Sequence, residues 1–457
     1  SHVQEARRAY LGALVSFLVV FLLNGSLWID FACMGAAPAH GFFPHLLPIP
    51  QNWFVIDRLN APLLTLTSLL YLVALLTTLR SRVNRFTLTW MLVSQSIQLL
   101  TLSSVQPWAL IAFLVAGTLP PYVELRMRQK STQVFVAHMY LFAVLLIAGQ
   151  ALADVTVIMP WLMPWAVMAL AAAVFIRSGV FPFHGWMSDL FEQASYGTSL
   201  LFTLPLSGAY AMLRLLVPIA SESMLDAVRL VALATAVCGA GLALVQIDLR
   251  RFICYLLLSH CSLVLTGLVS MNLVSVTGAL CAWISTSLAL GGLGFTLRAL
   301  ECRCGRVSMR DFQGLYEHTP SLATFFLLTC LASIGFPGTL GFIGIELMID
   351  GAVNDSLSLG FAVSIATMLN AIAVVRAFFL IFTGRQFPAT VSLKIRPRER
   401  YAVLTLSLFI LLGGIFPQSN IAARYEAARE LIDRRVNNLR SLSEARGQLH
   451  VQREEPL

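Results

Sequence analysis

The sequence predicts an all-α fold, a polytopic membrane helix bundle with about 13 transmembrane helices, two of them broken. Hydrophobic residues make up 58% of the chain and charged residues 12%, whereas a typical soluble domain carries about 25% charged residues. Apolar runs long enough to cross a hydrocarbon layer of about 30 Å recur along most of the sequence. These runs show no period-two alternation, which favours helices over a membrane barrel.

The apolar runs define the expected spans, and together they predict one continuous bundle in the lipid bilayer. The run near residue 340 is interrupted. The span centres lie at 10–28, 61–79, 86–103, 107–121, 132–152, 158–176, 197–217, 226–246, 252–271, 276–298, 321–349, 357–382 and 401–416.

Basic residues predict the orientation of the bundle. The formal net charge is +8, but the basic residues form short clusters that mostly occupy every second connection, so they indicate membrane topology rather than nucleic acid as a partner. By the positive-inside rule, the N-terminus is expected in the cytoplasm and the C-terminus on the opposite side. The clusters lie at 7–8, 80–85, 126–130, 177, 250–251, 298–310 and 394–400.

The two ends of the sequence differ in character. No small-residue cleavage site follows the apolar run at 10–23, so we expect a retained span rather than a signal peptide. Residues 1–419 are predicted to form the membrane domain and residues 420–457 an amphipathic, charged tail. This tail is expected to lie along a membrane surface or a partner subunit, or else to form a solvated helix.

The first predicted helix break lies at Gly179 and Pro182. A broken membrane helix exposes backbone dipoles and leaves room for water, so ionisable side chains there can hold a charge and pass protons. Alternatively, these side chains anchor the chain at the interface and cap a re-entrant segment. The ionisable residues beside this break are Arg177, His184, Asp189 and Glu192.

The second predicted break lies at Pro337 and Gly338. Glu346 and Asp350 follow it one helical turn apart, so they share a helix face. A charged side chain at the bilayer centre costs about 2.5–3.5 kcal/mol on insertion scales, and such groups usually mark an ion route or a buried pair. We therefore expect Glu346 inside the bundle on an ion route, and Asp350 solvated near the far interface.

Three further side chains are candidates for a proton path. His138 and His260 lie within apolar runs, and because imidazole titrates near neutral pH either could relay protons, although a single buried histidine is more often a packing residue. Glu124 lies at the end of a span beside Arg126 and Arg128, where a surface ion pair is the favoured interpretation.

Neither a metal site nor an enzyme active site is predicted. Most of the cysteines lie inside spans, and Cys302 and Cys304 are too close together for ordinary zinc spacing. The sequence contains no nucleophile triad, phosphate-binding loop or nicotinamide-binding fingerprint. Whether the chain is an enzyme is left open.

Four segments give a more specific expectation. FVIDRLNAP (54–62), FPFHGWMSDLFEQAS (181–195), LVQIDLRRFICYLLLSHCSL (244–263) and GLYEHTPSLATFFLLTCLASIGFPGTLGFIG (314–344) occur in this order. Together they resemble the signatures of the antiporter-like, proton-conducting subunits of respiratory complex I and their Mrp-type relatives. The resemblance implies an antiporter-like subunit fold of fourteen spans, two of them broken, and the thirteen spans predicted here agree if the first is absent. It also implies a proton or cation route, no cofactor in this chain, and other protein subunits as partners.

The sequence departs from the ion route that the resemblance implies. That route uses a glutamate and several lysines near the membrane midplane, and arginine holds its proton too tightly to replace lysine as a relay. At the second break the resemblance implies a charged residue at the position of Ile345, whereas this sequence has its charge one residue later, at Glu346. The glutamate and lysine positions, with one histidine position, read Ala116, Arg177, Leu206, Thr286 and Leu290.

Three hypotheses follow from the loss of most of these glutamate, lysine and histidine residues. In the first, the chain conducts protons or cations in the inner membrane of a bacterium and couples this flow to a large soluble zinc protein, similar to a carbonic anhydrase, for CO₂ and bicarbonate uptake. In the second, it is an antiporter-like subunit of a complex I-like or hydrogenase-like redox complex. In the third, it is a membrane scaffold that has lost conduction. Zinc is expected in a partner under the first hypothesis.

Overall fold

The computed structural model describes residues 2–33, 39–40, 53–78, 85–156, 158–384 and 397–454. Two short antiparallel strands, β1 (Ala39–His40) and β2 (Val55–Ile56), pair Ala39 with Ile56 and His40 with Val55. The other regular elements are helical, which confirms the predicted all-α class. The helices are α1 (His2–Cys33), α2 (Ala61–Leu76), α3 (Arg85–Ser103), α4 (Pro107–Ala116), α5 (Leu119–Met127), α6 (Gln133–Val155), α7 (Met163–Ser178), α8 (Gly185–Gln193), α9 (Tyr196–Thr203), α10 (Ser207–Ala211), α11 (Glu222–Val245), α12 (Leu249–Leu268), α13 (Leu273–Cys304), α14 (Pro320–Ser333), α15 (Leu340–Asp355), α16 (Leu357–Phe382), α17 (Pro397–Ile415) and α18 (Pro417–Glu454).

The helices have the length and composition of membrane spans. Within the described ranges, nine helical stretches are long and apolar enough to cross a bilayer, or ten if α17 and α18 form one bent span. Helices α2 and α14 are apolar but shorter, with 16 and 14 residues. Each of the thirteen predicted segments falls on helix. The number of spans itself stays a prediction, because length and composition do not establish thirteen crossings.

Backbone contacts between loops define two ends of the bundle. At one end, the Met309 N–H donates to the Ile247 carbonyl at 2.7 Å; at the other, the Val105 N–H donates to the Trp53 carbonyl at 3.0 Å. We call the end with residues 128–132, 246–248 and 305–319 the basic end, and the end with residues 53–60, 104–106 and 217–221 the distal end.

The turn that opens α12 is held by its own side chains, as the sequence suggests for an N-cap. The carboxylate of Asp248 accepts hydrogen bonds from the N–H groups of Arg250 and Arg251, at 2.8 and 3.3 Å. The Arg250 guanidinium binds Glu301 of α13 at 2.7 Å. The turn thus joins α12 to α13 at the basic end.

Both predicted helix breaks are present, and each occurs where glycine permits positive φ. Gly179 ends α7 with φ of +72°. Gly338, with φ of +87°, lies between α14 and α15. A third break, between α9 and α10, was not predicted; it follows Pro205, and Leu206 there has φ of +49°.

Small residues bring α15 against α13, as is common between membrane helices. A Cβ on Gly344 would lie 2.7 Å from the backbone N of Ala282, so the close approach requires glycine. We expect Gly344→Ala to lower the free energy of unfolding by about 1–3 kcal/mol, the usual range for overpacking. Equilibrium unfolding in mixed detergent micelles measures the difference.

Gly241 on α11 is the matched control, because a Cβ there meets nothing within 4 Å. Gly241→Ala is expected to be neutral or to stabilise the protein by up to about 1 kcal/mol through helix propensity. Equal losses in the two variants would contradict the proposed close packing of α15 on α13.

The C-terminal helix α18 lies against the distal end of the bundle. Arg424 donates to the carbonyl of Arg58 at 2.9 Å, and Arg435 donates to the carbonyl of Ala220 at 3.1 Å. Ala427 and Ala428 are buried. Helix α18 therefore holds two distal loops of its own chain, while the predicted domain boundary at residue 420 stays a prediction.

Candidate functional site

Arg177 is a buried cation at the first break. Its side chain is 4% exposed, and its guanidinium lies 3.8 Å from the ring centroid of Phe202, a cation–π contact. The Nη2 atom donates to the Phe202 carbonyl at 3.0 Å. No carboxylate in the described part of the chain pairs with Arg177. Arg177 therefore lies in the interior, with a carbonyl and an aromatic ring in place of a counter-ion.

The unpredicted break after α9 explains why this carbonyl is available. Pro205 lacks an N–H, and the N–H of Leu206 donates to the Thr203 carbonyl at 3.1 Å instead of continuing the helical pattern to Phe202. The carbonyl of Phe202 therefore points to Arg177, while Ser287 donates to the carbonyl of Leu204 at 2.7 Å. Two side chains thus satisfy the carbonyls that the break releases.

The other candidates near the first break occupy different environments. The ring centroid of His184 lies 4.0 Å from that of Phe181, and its Nδ1 is buried without a partner among the described residues. Asp189 accepts from the amide of Gln193 through Oδ1, and its Oδ2 is buried without such a partner. His184 and Asp189 are consequently sites where water would complete the hydrogen bonding.

Glu192 lies at the basic end and not in the interior. It forms an ion pair of 2.8 Å with Arg251, in which both side chains are more than a third exposed. An exposed pair of this kind contributes little to stability. Glu192 is therefore the weakest of the four candidates at the first break.

His260 connects α12 to the second break. It is 5% exposed, its Nδ1 lies 2.8 Å from the carbonyl oxygen of Leu256, and its Nε2 lies 2.9 Å from that of Ser333. Carbonyls only accept, and neutral imidazole carries one N–H, so it can donate to one carbonyl at a time. The imidazolium form can donate to both. Protonation of His260 therefore strengthens the contact between α12 and the end of α14.

The proline of the second break makes this contact possible. In a continuous helix the Ser333 carbonyl would accept from the residue four positions later, which is Pro337 and has no N–H. The carbonyl is thus free to face His260. Gly335 and Gly338, both with positive φ, complete the turn before α15.

Glu346 is exposed on the outer surface of α15, which corrects the prediction that it lies inside the bundle. Gly344 and Gly351 pack on α13, and Glu346 follows Gly344 by two residues, about 200° around a helix of 3.6 residues per turn. Its side chain therefore points away from α13. Asp350 is also exposed, near the distal end.

His138 is half-buried on α6, and its Nδ1 lies 2.8 Å from the carbonyl of Val134 in the same helix. Glu124 forms the predicted ion pair with Arg128, at 2.7 Å. It also accepts from the backbone N–H of Ser195 at 3.0 Å and from the hydroxyl of Thr198. Glu124 therefore fixes the start of α9 and lines a cavity of about 560 Å³ at the basic end.

Several buried polar atoms of the interior have no hydrogen-bond partner among the described residues. Besides the atoms of His184 and Asp189 described above, many of them belong to neutral side chains. Buried polar groups of this kind are usually satisfied by ordered water, so the interior can hold water molecules. The atoms include Thr67 Oγ1, Gln95 Nε2, Gln98 Oε1, Ser207 Oγ and Ser262 Oγ.

The sequence reasoning missed one buried ion pair. Asp57 is 2% exposed and accepts from Arg214 Nη2 at 2.7 Å, and Arg214 Nε donates to the Tyr210 hydroxyl at 3.1 Å. Arg214 lies in a π-helical segment, Met212–Leu216, a feature often found at functional sites. The segment 54–62, which contains Asp57, is one of the segments that carry the resemblance, but no signal in the sequence identifies Arg214 as its partner.

A metal centre finds no support in the described ranges, where no group of three or more His, Cys, Asp or Glu side chains could hold a metal ion. The arrangement is instead one of isolated titratable groups beside broken helices. Such groups can exchange protons with water held at the breaks.

Comparison with known proteins identifies the family of the chain. The profile of the NADH:quinone oxidoreductase/Mrp antiporter transmembrane family matches residues 131–370, more than half of the 457 residues. NADH-quinone oxidoreductase subunit M of Rickettsia prowazekii is 27% identical over 263 residues, which cover 56% of this chain and 53% of that protein. The chain spans about half the length of such relatives.

Two solved structures share the fold. A chain of respiratory complex I from Thermus thermophilus with bound NADH superposes with a TM-score of 0.80 at 22% identity, covering 94% of this chain and 97% of that one. A chain of the Mrp complex from Dietzia sp. DQ12-45-1b gives a TM-score of 0.79 at 18% identity, covering 94% and 93%. The predicted antiporter-like subunit fold is confirmed.

Proposed function

Because this chain belongs to the NADH:quinone oxidoreductase/Mrp antiporter transmembrane family, we propose that it is a proton-translocating membrane subunit of a multi-subunit complex. The observation that carries the proposal is the buried imidazole of His260 between the carbonyls of Leu256 and Ser333. Imidazole exchanges protons near neutral pH, and this ring joins a continuous helix to a broken one.

In this proposal the proton path uses water at buried polar atoms rather than a series of lysines. Leu206, Thr286 and Leu290 are buried at the positions where the resemblance implies charged or titratable side chains. Arg177 keeps a positive charge at the first break, and His260 is the titratable group at the second. The positive charge of Arg177 orients water and sets the local potential, while His260 carries the proton.

Proton flux through the purified complex tests this function. The complex is extracted in mild detergent, reconstituted into vesicles that contain a pH-sensitive dye, and exposed to an imposed membrane potential. We expect internal pH to change faster than in vesicles that hold heat-denatured complex. Equal rates would contradict conduction and favour the scaffold hypothesis, in which the chain only anchors its partners.

The more specific assignment is a further part of the proposal: the chain lies in the bacterial inner membrane with its N-terminus in the cytoplasm and serves a soluble zinc, carbonic-anhydrase-like partner in CO₂ and bicarbonate uptake. Its support is the absence of most of the lysines that the resemblance implies for the ion route. This absence suits a specialised relative better than a respiratory pump. The alternative is a complex I-like or hydrogenase-like redox complex, the kind of assembly named for the Thermus relative.

The partners that co-purify with the chain decide between these assignments. A soluble protein that carries zinc would support carbon uptake. Iron–sulfur or quinone-reactive subunits in the same particle would support the redox complex and reject the carbon-uptake partner. Intact-mass measurement of the complex together with metal analysis gives both readouts.

A further inference from the structure

The cavity of about 560 Å³ at the basic end lies between α2, α3, α5, α9 and α13. Its volume falls within the range of about 300–1,000 Å³ that is typical of small-molecule sites. The wall contains both guanidinium groups and apolar side chains. Proton translocation needs water and titratable groups, and neither requires a cavity of this composition.

Two of the arginines that line the cavity are neutralised by carboxylates. Arg250 binds Glu301 at 2.7 Å, and Arg128 binds Glu124 at 2.7 Å. The acidic residues of the wall are therefore already engaged. They leave no carboxylate of the described lining for the remaining cations.

Arg298 and Arg306 are those remaining cations. Arg298 Nη2 donates to Thr78 Oγ1 at 3.0 Å, and Arg306 donates to the backbone carbonyl of Glu192 at 3.2 Å. Neither forms an ion pair in the described part of the chain. Of the charged residues in the described lining, four are arginines and two are glutamates. The cavity therefore has an excess of positive charge.

The absence of a side chain at Gly197 leaves space beside this charge. A Cβ at Gly197 would lie 3.2 Å from Arg298 Nη1, a position that a ligand atom can occupy. The planar guanidinium has five N–H donors in a fork that matches the oxygens of a phosphate. One face of Arg298 is thus held by Thr78, and another is directed at the cavity.

The remaining wall has hydroxyl-bearing side chains, such as Thr87 and Ser94, and a larger apolar part. The apolar part includes the side chains of Trp90, Met91, Val123, Met127 and Leu201. A small hydrated anion would leave this surface wet, whereas an acyl chain would cover it, and burial of apolar area is favourable. The cavity therefore suits a molecule with an anionic head and an apolar tail.

We propose that this cavity binds the phosphate group of an anionic amphiphile, such as a glycerophospholipid, with Arg298 as the principal ligand and Arg306 as the second. The phosphate oxygens accept from both guanidinium groups, and the first part of the tail lies against Trp90 and Met91. Binding would tie α13 at the basic end to α9, the helix whose Phe202 carbonyl accepts from Arg177.

Cys302 provides a native reporter, because it is exposed and lines the same cavity. The purified full chain in neutral detergent is treated with a maleimide, and the rate of Cys302 labelling is measured with the variant Cys302→Ser as the blank. Dioleoyl phosphatidylglycerol is expected to slow labelling severalfold, and dioleoylglycerol, which has the same tails without phosphate, is not. Protection by inorganic phosphate alone, equal to that of the lipid, would assign the site to a free phosphate anion.

Variants test the role of the cations. Arg298→Gln is expected to weaken protection about tenfold or more, the effect of losing a charge-assisted hydrogen bond, and Arg298→Lys to retain most of it. Arg306→Gln, which removes a bond to an exposed backbone carbonyl, gives the same direction of change without a risk to folding. Arg376→Gln is the control, since this arginine bonds the carbonyls of Leu244 and Gln246 outside the cavity.

Two patterns of protection, and the absence of any protection, would overturn the proposal. One is equal protection by dioleoylglycerol and by the phospholipid, which would show that the tail fills an apolar groove without help from the charge. The other is protection that stays unchanged in both Arg298→Gln and Arg306→Gln while the proteins elute as folded particles. Labelling rates that no probe alters would reject a ligand site altogether.

Discussion

Replacing Asp57 with asparagine is expected to lower the free energy of unfolding by about 3–5 kcal/mol, the loss typical of a buried ion pair deprived of one partner. Asp57 and Arg214 are both almost fully buried and lie 2.7 Å apart. The asparagine leaves the Arg214 guanidinium in the interior with the Tyr210 hydroxyl as its remaining side-chain acceptor. Equilibrium unfolding in mixed detergent micelles measures the change.

Asp433 on α18 provides the matched control. Its ion pair with Arg429 is 4.0 Å long, and both side chains are about two thirds exposed. Asp433→Asn should therefore change stability by at most about 1 kcal/mol. If both asparagine variants lowered the free energy of unfolding by the same small amount, the Asp57–Arg214 ion pair would not be the stabilising contact that its geometry indicates.

The same pair predicts a pH dependence. Burial alone would raise the pKa of Asp57, but the Arg214 guanidinium outweighs burial and holds that pKa below its ordinary value of 3.8. A carboxyl with a lowered folded-state pKa contributes stability above its unfolded pKa of about 3.9 and loses it as the pH falls through the folded value. The stability difference between wild type and Asp57→Asn should accordingly shrink in acid.

Replacing His260 with alanine is expected to lower proton flux about tenfold or more, since a positioned acid–base group contributes about 10²–10⁴ to proton-transfer rates. The alanine removes the titratable ring and both contacts, to Leu256 and to Ser333. His260→Asn can still donate to one carbonyl but does not titrate, so it should assemble normally and remain slow. Flux in reconstituted vesicles is the readout, with assembly checked by co-purification.

His138→Ala is the control for this experiment. Both histidines place Nδ1 at 2.8 Å from the carbonyl four residues earlier, but among the described contacts it is His260 that also meets a second helix. Flux in His138→Ala should stay close to wild type. Normal flux in assembled His260→Ala would reject the histidine as a relay and leave the scaffold hypothesis standing.

Local signals in the sequence were sufficient to locate the helices and the two predicted breaks. An apolar run of span length predicts a helix from the run itself, and a nearby glycine and proline predict a break. Both effects depend on residues close together in the sequence, so they can be recognised without the structure. The two pairs are Gly179 with Pro182 and Pro337 with Gly338. The break after α9 also follows a proline, Pro205. Because the residues around it are apolar and no glycine pair accompanies it, the proline alone does not predict this break.

The positions of charged side chains depended on packing and could be predicted less well. Glu346 was placed inside because its run is apolar, whereas the small residues Gly344 and Gly351 decide which face of α15 meets α13. Arg214 could not be paired with Asp57, because 157 residues separate them. Arg177 is buried because the break brings its side chain into the interior, and its role on an ion route stays a prediction.

In the multi-subunit complex proposed above, the exposed carboxylate of Glu346 bears on how the amount of this chain is matched to that of its partner subunits. A charged group that faces hydrocarbon costs about 2.5–3.5 kcal/mol, which corresponds to about a 60- to 300-fold shift in an equilibrium. A neighbouring subunit that supplies a hydrogen-bond donor removes this penalty. Copies left without partners are then the less stable population, and membrane proteolysis is expected to remove them first, so that stoichiometry is corrected after synthesis.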